Sequence, residues 1–134
     1  MLIPATRYRD PNAAFDFLRD VFGLEEHAVY RSDDGKIMHA EMKLGTGLMM
    51  FGPPSDGAFE AFMADPSELQ GRETTTIYAV IKDVQARYKI VCDAGAKILV
   101  PLEKQFYGGS SFSVADLEDH VWTFGDFDPN TGHS

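Results

Sequence analysis

An α+β fold is predicted, two βαβββ modules whose strands form a curved mixed sheet around a groove, and three observations predict it. The order strand, helix and three strand-like runs occurs twice, once from Ile3 and again from Thr74, about half the chain apart. Each first run ends at an aspartate, Asp10 or Asp83, followed by apolar residues at helical spacing. Each of those stripes stops at a glycine, Gly23 or Gly95. Two such units can bury the apolar faces of their sheets together and leave a groove between them, where function is expected. The first strands of the two modules are expected to pair at the junction, with the helices outside.

At 134 residues the chain reads as one domain: module one about 1–52, a connector 53–73, module two about 74–126 and a tail 127–134. Residues 2–9 alternate and are rich in strand formers. Asp10-Pro11 starts a helix over 11–22, with Asp10 as N-cap and Pro11 where its missing N–H costs nothing. Ala14, Phe15, Leu18, Val21 and Phe22 form its buried stripe. Strands follow at about 25–31, 36–44 and 47–52, joined by Asp33-Asp34-Gly35 and Gly45-Thr46-Gly47, turns that accept positive φ. In the middle strand Met38, Ala40, Met42 and Leu44 are assigned to the helix side. Ile37, His39, Glu41 and Lys43 face the groove or solvent.

The connector contains Pro53, Pro54, Gly57, Pro66 and Gly71, with one short helix expected around Ala58–Met63. A connector of that length in a small domain is usually functional or mobile. Phe59, Phe62 and Met63 cap the groove, make a dimer contact or tuck the connector onto the body. Thr74–Lys82 is the cleanest strand, almost all β-branched or aromatic. Asp83 caps a helix over 83–94 whose stripe is Val84, Tyr88, Val91 and Cys92. Strands at 98–102, ended near Pro101, at 111–114 and at 120–124 complete the module.

The net charge of −9 and the lack of a basic stripe argue against nucleic acid as a partner. Cys92 is the only cysteine, so no disulfide framework and no Cys-based zinc site is expected, and a buried, inert thiol is the reading for it. The apolar run at the N-terminus is too short for a signal peptide or membrane span, so a cytoplasmic protein without a membrane partner is expected.

Arg7-Tyr8-Arg9-Asp10 with Val21-Phe22-Gly23-Leu24, His39-Ala40-Glu41-Met42 with Gly45-Thr46-Gly47, and Asp116 through His120-Val121-Trp122-Thr123-Phe124-Gly125 together resemble the vicinal oxygen chelate superfamily. That group contains glyoxalase I, the extradiol dioxygenases and the bleomycin- and fosfomycin-resistance proteins. The resemblance covers nearly the whole chain apart from 53–73. The subgroup's Asp-Pro-Glu-Gly turn reads Asp116-Leu117-Glu118-Asp119, so Asp119 is expected in the conformation usually left to glycine. Where the subgroup carries an arginine before the last hairpin, this chain has Ser110, and Phe112 replaces a tyrosine.

The resemblance implies a divalent ion held from the first and fourth strands of each module. Mapped by spacing to the aspartates, those positions fall on Ile3, Thr76, Met50 (or Met49) and Trp122, which supply no hard-metal ligand set. No metal and no cofactor is therefore expected. A displaced site would draw on His39, Glu41, His120 and Asp116, which also read as a hydrogen-bonded pair on a sheet and groups near a turn. His27 and His133 fall on surface and tail.

Without a metal, the groove reads as an apolar, aromatic pocket with a few polar groups. Its expected lining is Met50, Thr76, Tyr78, Tyr107, Phe112, Trp122 and Phe124, with His39 and Glu41 as the polar end; each aromatic equally reads as core or dimer interface. Two classes stay open. One is a metal-independent small-molecule-binding protein of the glyoxalase/bleomycin-resistance type. The other is a glyoxalase-like lyase or dioxygenase-type enzyme with a displaced metal or a side-chain acid/base, His39 or Glu41 first. A regulatory module acting through its dimer surface is a third reading. The resemblance, the small size and the aromatic connector together imply a homodimer.

Overall fold

A computed structural model describes residues 1–131. The chain divides into two compact units, Met1–Arg72 and Glu73–Ser134, each with one four-stranded sheet. The first unit runs β1 (Ala5–Arg7), α1 (Pro11–Asp20), β2 (Glu25–Arg31), β3 (Ile37–Leu44) and β4 (Gly47–Gly52), then two 3-10 helices, Ala58–Phe62 and Pro66–Leu69. The second runs β5 (Ile77–Val80), α2 (Val84–Asp93), β6 (Lys97–Lys104), β7 (Ser110–Ala115) and β8 (Val121–Gly125). The sheet orders are β1-β4-β3-β2 and β5-β8-β7-β6, the same topology twice. In each, the first strand lies parallel to the last and the remaining pairs are antiparallel. The two-module βαβββ fold is thus present. Within each unit the first strand pairs with the fourth, β1 with β4 and β5 with β8, and stands at the edge of its four-stranded sheet. No described helix is long and apolar enough to cross a membrane.

Both helices start as their sequences dictate. The Asp10 carboxylate accepts from the Ala13 N–H at 3.1 Å and the Asp83 carboxylate from the Ala86 N–H at 3.0 Å, satisfying donors that a helix leaves orphaned. Ala14, Phe15 and Leu18 bury one face of α1, and Gly23 turns the chain at φ 81. On α2 the buried residues are Val84 and Val91, with Tyr88 against Phe112 at 5.0 Å between ring centroids. Cys92 is exposed, a correction to the expected buried thiol. It lies about 100° around the helix from Val91, past the edge of a narrow stripe. Pro101 does not end its strand. β6 is an edge strand, and its pairing with β7 shifts register between Val100 and Glu103, so the missing N–H interrupts nothing.

The faces of β3 also differ from simple alternation. Tyr30 lies opposite His39 but Arg31 opposite Ile37, which leaves Met38 as the extra residue of a bulge. Ile37 is therefore buried at 1% exposure, while Met38, expected on the helix side, is 55% exposed. From His39 onward the alternation holds: Ala40 and Met42 are buried with Met49 and Phe51 of β4.

Asp119 has φ 69, as its place in the turn demands. Left-handed backbone strains a side-chain-bearing residue, so Asp119→Gly is expected to raise stability by about 0.5–1 kcal/mol, read as an upward shift of the urea midpoint.

Candidate functional site

The face of the first sheet away from α1 gathers part of the expected site. Strand register sets Ala5 beside Met50 and Met50 beside Glu41, so these side chains share that face with His39 two residues before Glu41. His39 Nε2 and Glu41 Oε2 are 2.9 Å apart, and the Tyr30 ring lies 5.7 Å from the imidazole. A depression of about 310 Å³ opens here, lined by Ala5, Arg7, Met38, His39, Met50 and the Pro53–Ser55 segment. Gly52 is part of its floor, and a Cβ there would sit 2.7 Å from the Met38 carbonyl oxygen, so the bulge and the glycine are matched.

Arg7 fixes the rim. Its Nε donates to Glu60 Oε1 at 2.6 Å, and its guanidinium lies 5.6 Å from the Phe59 ring centroid. Arg9 bonds Asp65 at 2.9 Å, so both 3-10 helices are tied back to the chain around β1. The Arg7 guanidinium, with hydrogen bonds from Ser55, holds the Glu60 carboxyl below the usual carboxylate range. A depressed carboxyl contributes stability above its unfolded pKa, about 4.3 for Glu, and loses it as the pH falls through its folded value. Below about pH 4, hydrogen exchange across residues 58–62 is expected to accelerate, and Glu60→Gln is expected to remove that acid dependence.

The other expected residues lie in the second unit, in three places. Trp122, Phe112 and Phe124 are 2%, 1% and 0% exposed. Phe112 and Phe124 stack at 5.5 Å, Trp122 and Phe124 at 6.1 Å, and the stack meets α2 through Tyr88. They are core, a correction to their place in the pocket lining: Val114 opposite Trp122 and Phe112 opposite Phe124 put all four on the helical face. Tyr78 lies on the opposite face of that sheet, its hydroxyl donating to the Phe127 carbonyl at 2.8 Å, and Tyr107 meets Phe127 edge-on at 5.1 Å. Burial first, then the charges of Tyr107 and Asp126, push the Tyr78 hydroxyl up. Thr76 is exposed just before β5.

The same register revises the fourth-strand position of the second unit. Thr123, not Trp122, faces with Tyr78, and its hydroxyl bonds Ser113 at 2.7 Å. That face of the second sheet thus carries a phenol and an alcohol, poor ligands for a divalent ion, while in the first unit Met50 shares its face with the hydrogen-bonded His39–Glu41 pair. The residues considered for a displaced site are otherwise engaged. Asp116 is buried and accepts from the Glu118 and His120 N–H groups at 3.0 Å and from Trp122 Nε1 at 3.1 Å. His120 Nδ1 is 3.3 Å from Glu73. Among the described residues no group of three or more His, Cys, Asp or Glu is placed to hold a metal ion. His27 is exposed, and His133 lies outside the described residues. Met38, Arg7, Ala5 and the Pro53–Ser55 segment were missed as lining; the Gly52-Pro53-Pro54 sequence, a residue without a side chain before two rigid ones, was the signal available.

Residues 4–124 match the model of the Glyoxalase/Bleomycin resistance protein/Dioxygenase superfamily, and the chain belongs to that family. An uncharacterized protein of Mycobacterium tuberculosis is 28% identical over 116 residues, covering 87% of this chain and 68% of its own length. The crystal structure of TioX from Micromonospora sp. ML1 is similar at 27% identity and TM-score 0.75, over 93% of this chain and 94% of its own. The fold is shared with the genomically encoded fosfomycin resistance protein FosX of Listeria monocytogenes, crystallised with Mn(II) and sulfate ion, at 16% identity and TM-score 0.68 over 97% and 91% of the two chains.

Proposed function

We propose that this protein binds a small organic molecule without a metal ion, in the depression on the face of the first sheet away from α1. Met38, Met50, Pro53 and Pro54 supply its apolar wall, and His39, oriented by Glu41, its polar end. The carrying observation is that thioether and proline surface meets basic groups in one depression of about 310 Å³. That volume falls at the small end of the ~300–1,000 Å³ range of ligand pockets. Thioethers adapt to irregular and flat ligands alike. Sequestration of a ligand needs only such a surface and no catalytic group.

The test is a thermal-shift screen of small drug-like molecules on chelator-treated protein, followed by the hits on Met50→Arg. At a hundredfold excess over Kd a ligand is expected to add about 2.7 kcal/mol of stability, with or without chelator. Met50→Arg, which fills the depression, is expected to abolish the shift. A shift that requires added metal speaks against the proposal.

A second reading rests on the His39–Glu41 hydrogen bond at 2.9 Å. A carboxylate that fixes one imidazole nitrogen leaves Nδ1 to take or give a proton to a bound substrate, the geometry of a general acid/base pair. Conversion of a hit compound over hours, lost in His39→Gln while binding persists, would select this reading. A homodimer belongs to the same proposal. Phe59 and Phe62 are exposed and edge-to-face at 6.3 Å, an apolar pair suited to a second copy. Sedimentation at tens of micromolar is expected to give twice the chain mass; a monomer mass would remove this part.

A further inference from the structure

Resting on the binding reading, we infer that the molecule taken up carries an oxyanion, of carboxylate type, that docks on Arg7 in exchange for Glu60. The side chains of the depression that carry or accept a proton's charge are Arg7 and His39, both basic. Each is held from outside by a glutamate that does not itself line the depression: Glu60 on Arg7 and Glu41 on His39. Among the described residues no aspartate or glutamate lines it, so a cationic ligand would find no counter-charge on the wall. The Arg7 guanidinium already grips a carboxylate, and its planar fork is matched to that shape.

The exchange is built in. Glu60 sits on a five-residue 3-10 helix tied to the Pro53–Ser55 rim, and Ser55 also donates to it, so Glu60 keeps hydrogen-bond partners after Arg7 is taken. The Phe59 ring under Arg7 supports the guanidinium plane whichever carboxylate it holds. The chain's net charge of −9 repels anions at long range, so recognition must come from this local pair of basic groups.

Three probes of one shape and different charge test it: benzoate, benzamide and benzamidinium, with dissociation constants from ligand-observed NMR. Benzoate is expected to bind about tenfold more tightly than either of the others, the advantage of a charge-assisted over a neutral pair. Glu60→Gln, which keeps the size of the side chain but leaves it one acceptor oxygen and no charge and so weakens the competitor, is expected to tighten benzoate severalfold and leave benzamide unchanged. Arg7→Lys is expected to erase most of the benzoate preference. Equal affinity for benzoate and benzamide, preference for benzamidinium, or no response of benzoate to Glu60→Gln overturns the inference while leaving a binding pocket in place. Failure of all three probes to bind overturns the pocket and the inference together.

Discussion

Replacing Trp122 by alanine is expected to destabilise the protein by about 3–5 kcal/mol, the scale for removing a large aromatic from a packed core. The indole is buried on the helical face of β8 and stacked on Phe124, which stacks in turn on Phe112. Its loss leaves a cavity beside Phe124 on a sheet whose strands cannot close it without breaking register. Trp122→Phe keeps the stack and loses the bond to Asp116, so it is expected to cost less, about 1–2 kcal/mol. Because Trp122 is the only tryptophan, unfolding must be followed by circular dichroism rather than by its fluorescence. A ligand-binding role for this ring would instead predict little change in stability and a loss of binding.

Asp116→Ala is expected to be of the same order, about 3–5 kcal/mol, for a different reason. Two backbone N–H groups and the indole N–H all point at this buried carboxylate, and its removal takes one acceptor from each of them. Asp116→Asn separates the contributions. Its single carbonyl oxygen can still cap Glu118 and His120, but its amide NH₂ then faces the indole N–H, donor against donor. Combined with Trp122→Phe, which removes that conflict, the double variant is expected to lose clearly less than the sum of the singles, since the two residues share one interaction. Strict additivity in urea unfolding would contradict the assigned network.

Much of the fold was legible because local chemistry and global arrangement agree. Asp10-Pro11 and Asp83 can only begin helices, Gly23 takes the left-handed turn, and Asp119 adopts the φ that its turn assigns to glycine. The pairing of His39 with Glu41 was legible too, since residues two apart on a strand share a face. Three things were not. Alternation gives two faces but does not say which one meets the helix, and in β8 both candidates are strand formers; the aromatic pair Trp122 and Phe124 went to the core. The bulge at Met38 adds one residue without any glycine or proline to announce it, and so reverses Ile37 and Met38. The partnership of Arg7 with Glu60 spans 53 positions and rests on the path of the connector, which no periodicity encodes.

The most direct test of metal-independent binding on the face of the first sheet away from α1 is a methyl NMR titration of chelator-treated protein, labelled at methionine, with a hit from the thermal-shift screen. Met38 and Met50 line the depression, while Met42 and Met49, their neighbours on the same two strands, are buried on the face toward α1. The prediction is saturable shifts at Met38 and Met50, near silence at Met42 and Met49, and no change in either on adding divalent metal. Shifts centred on Met42 and Met49, or shifts that appear only when metal is supplied, would contradict it.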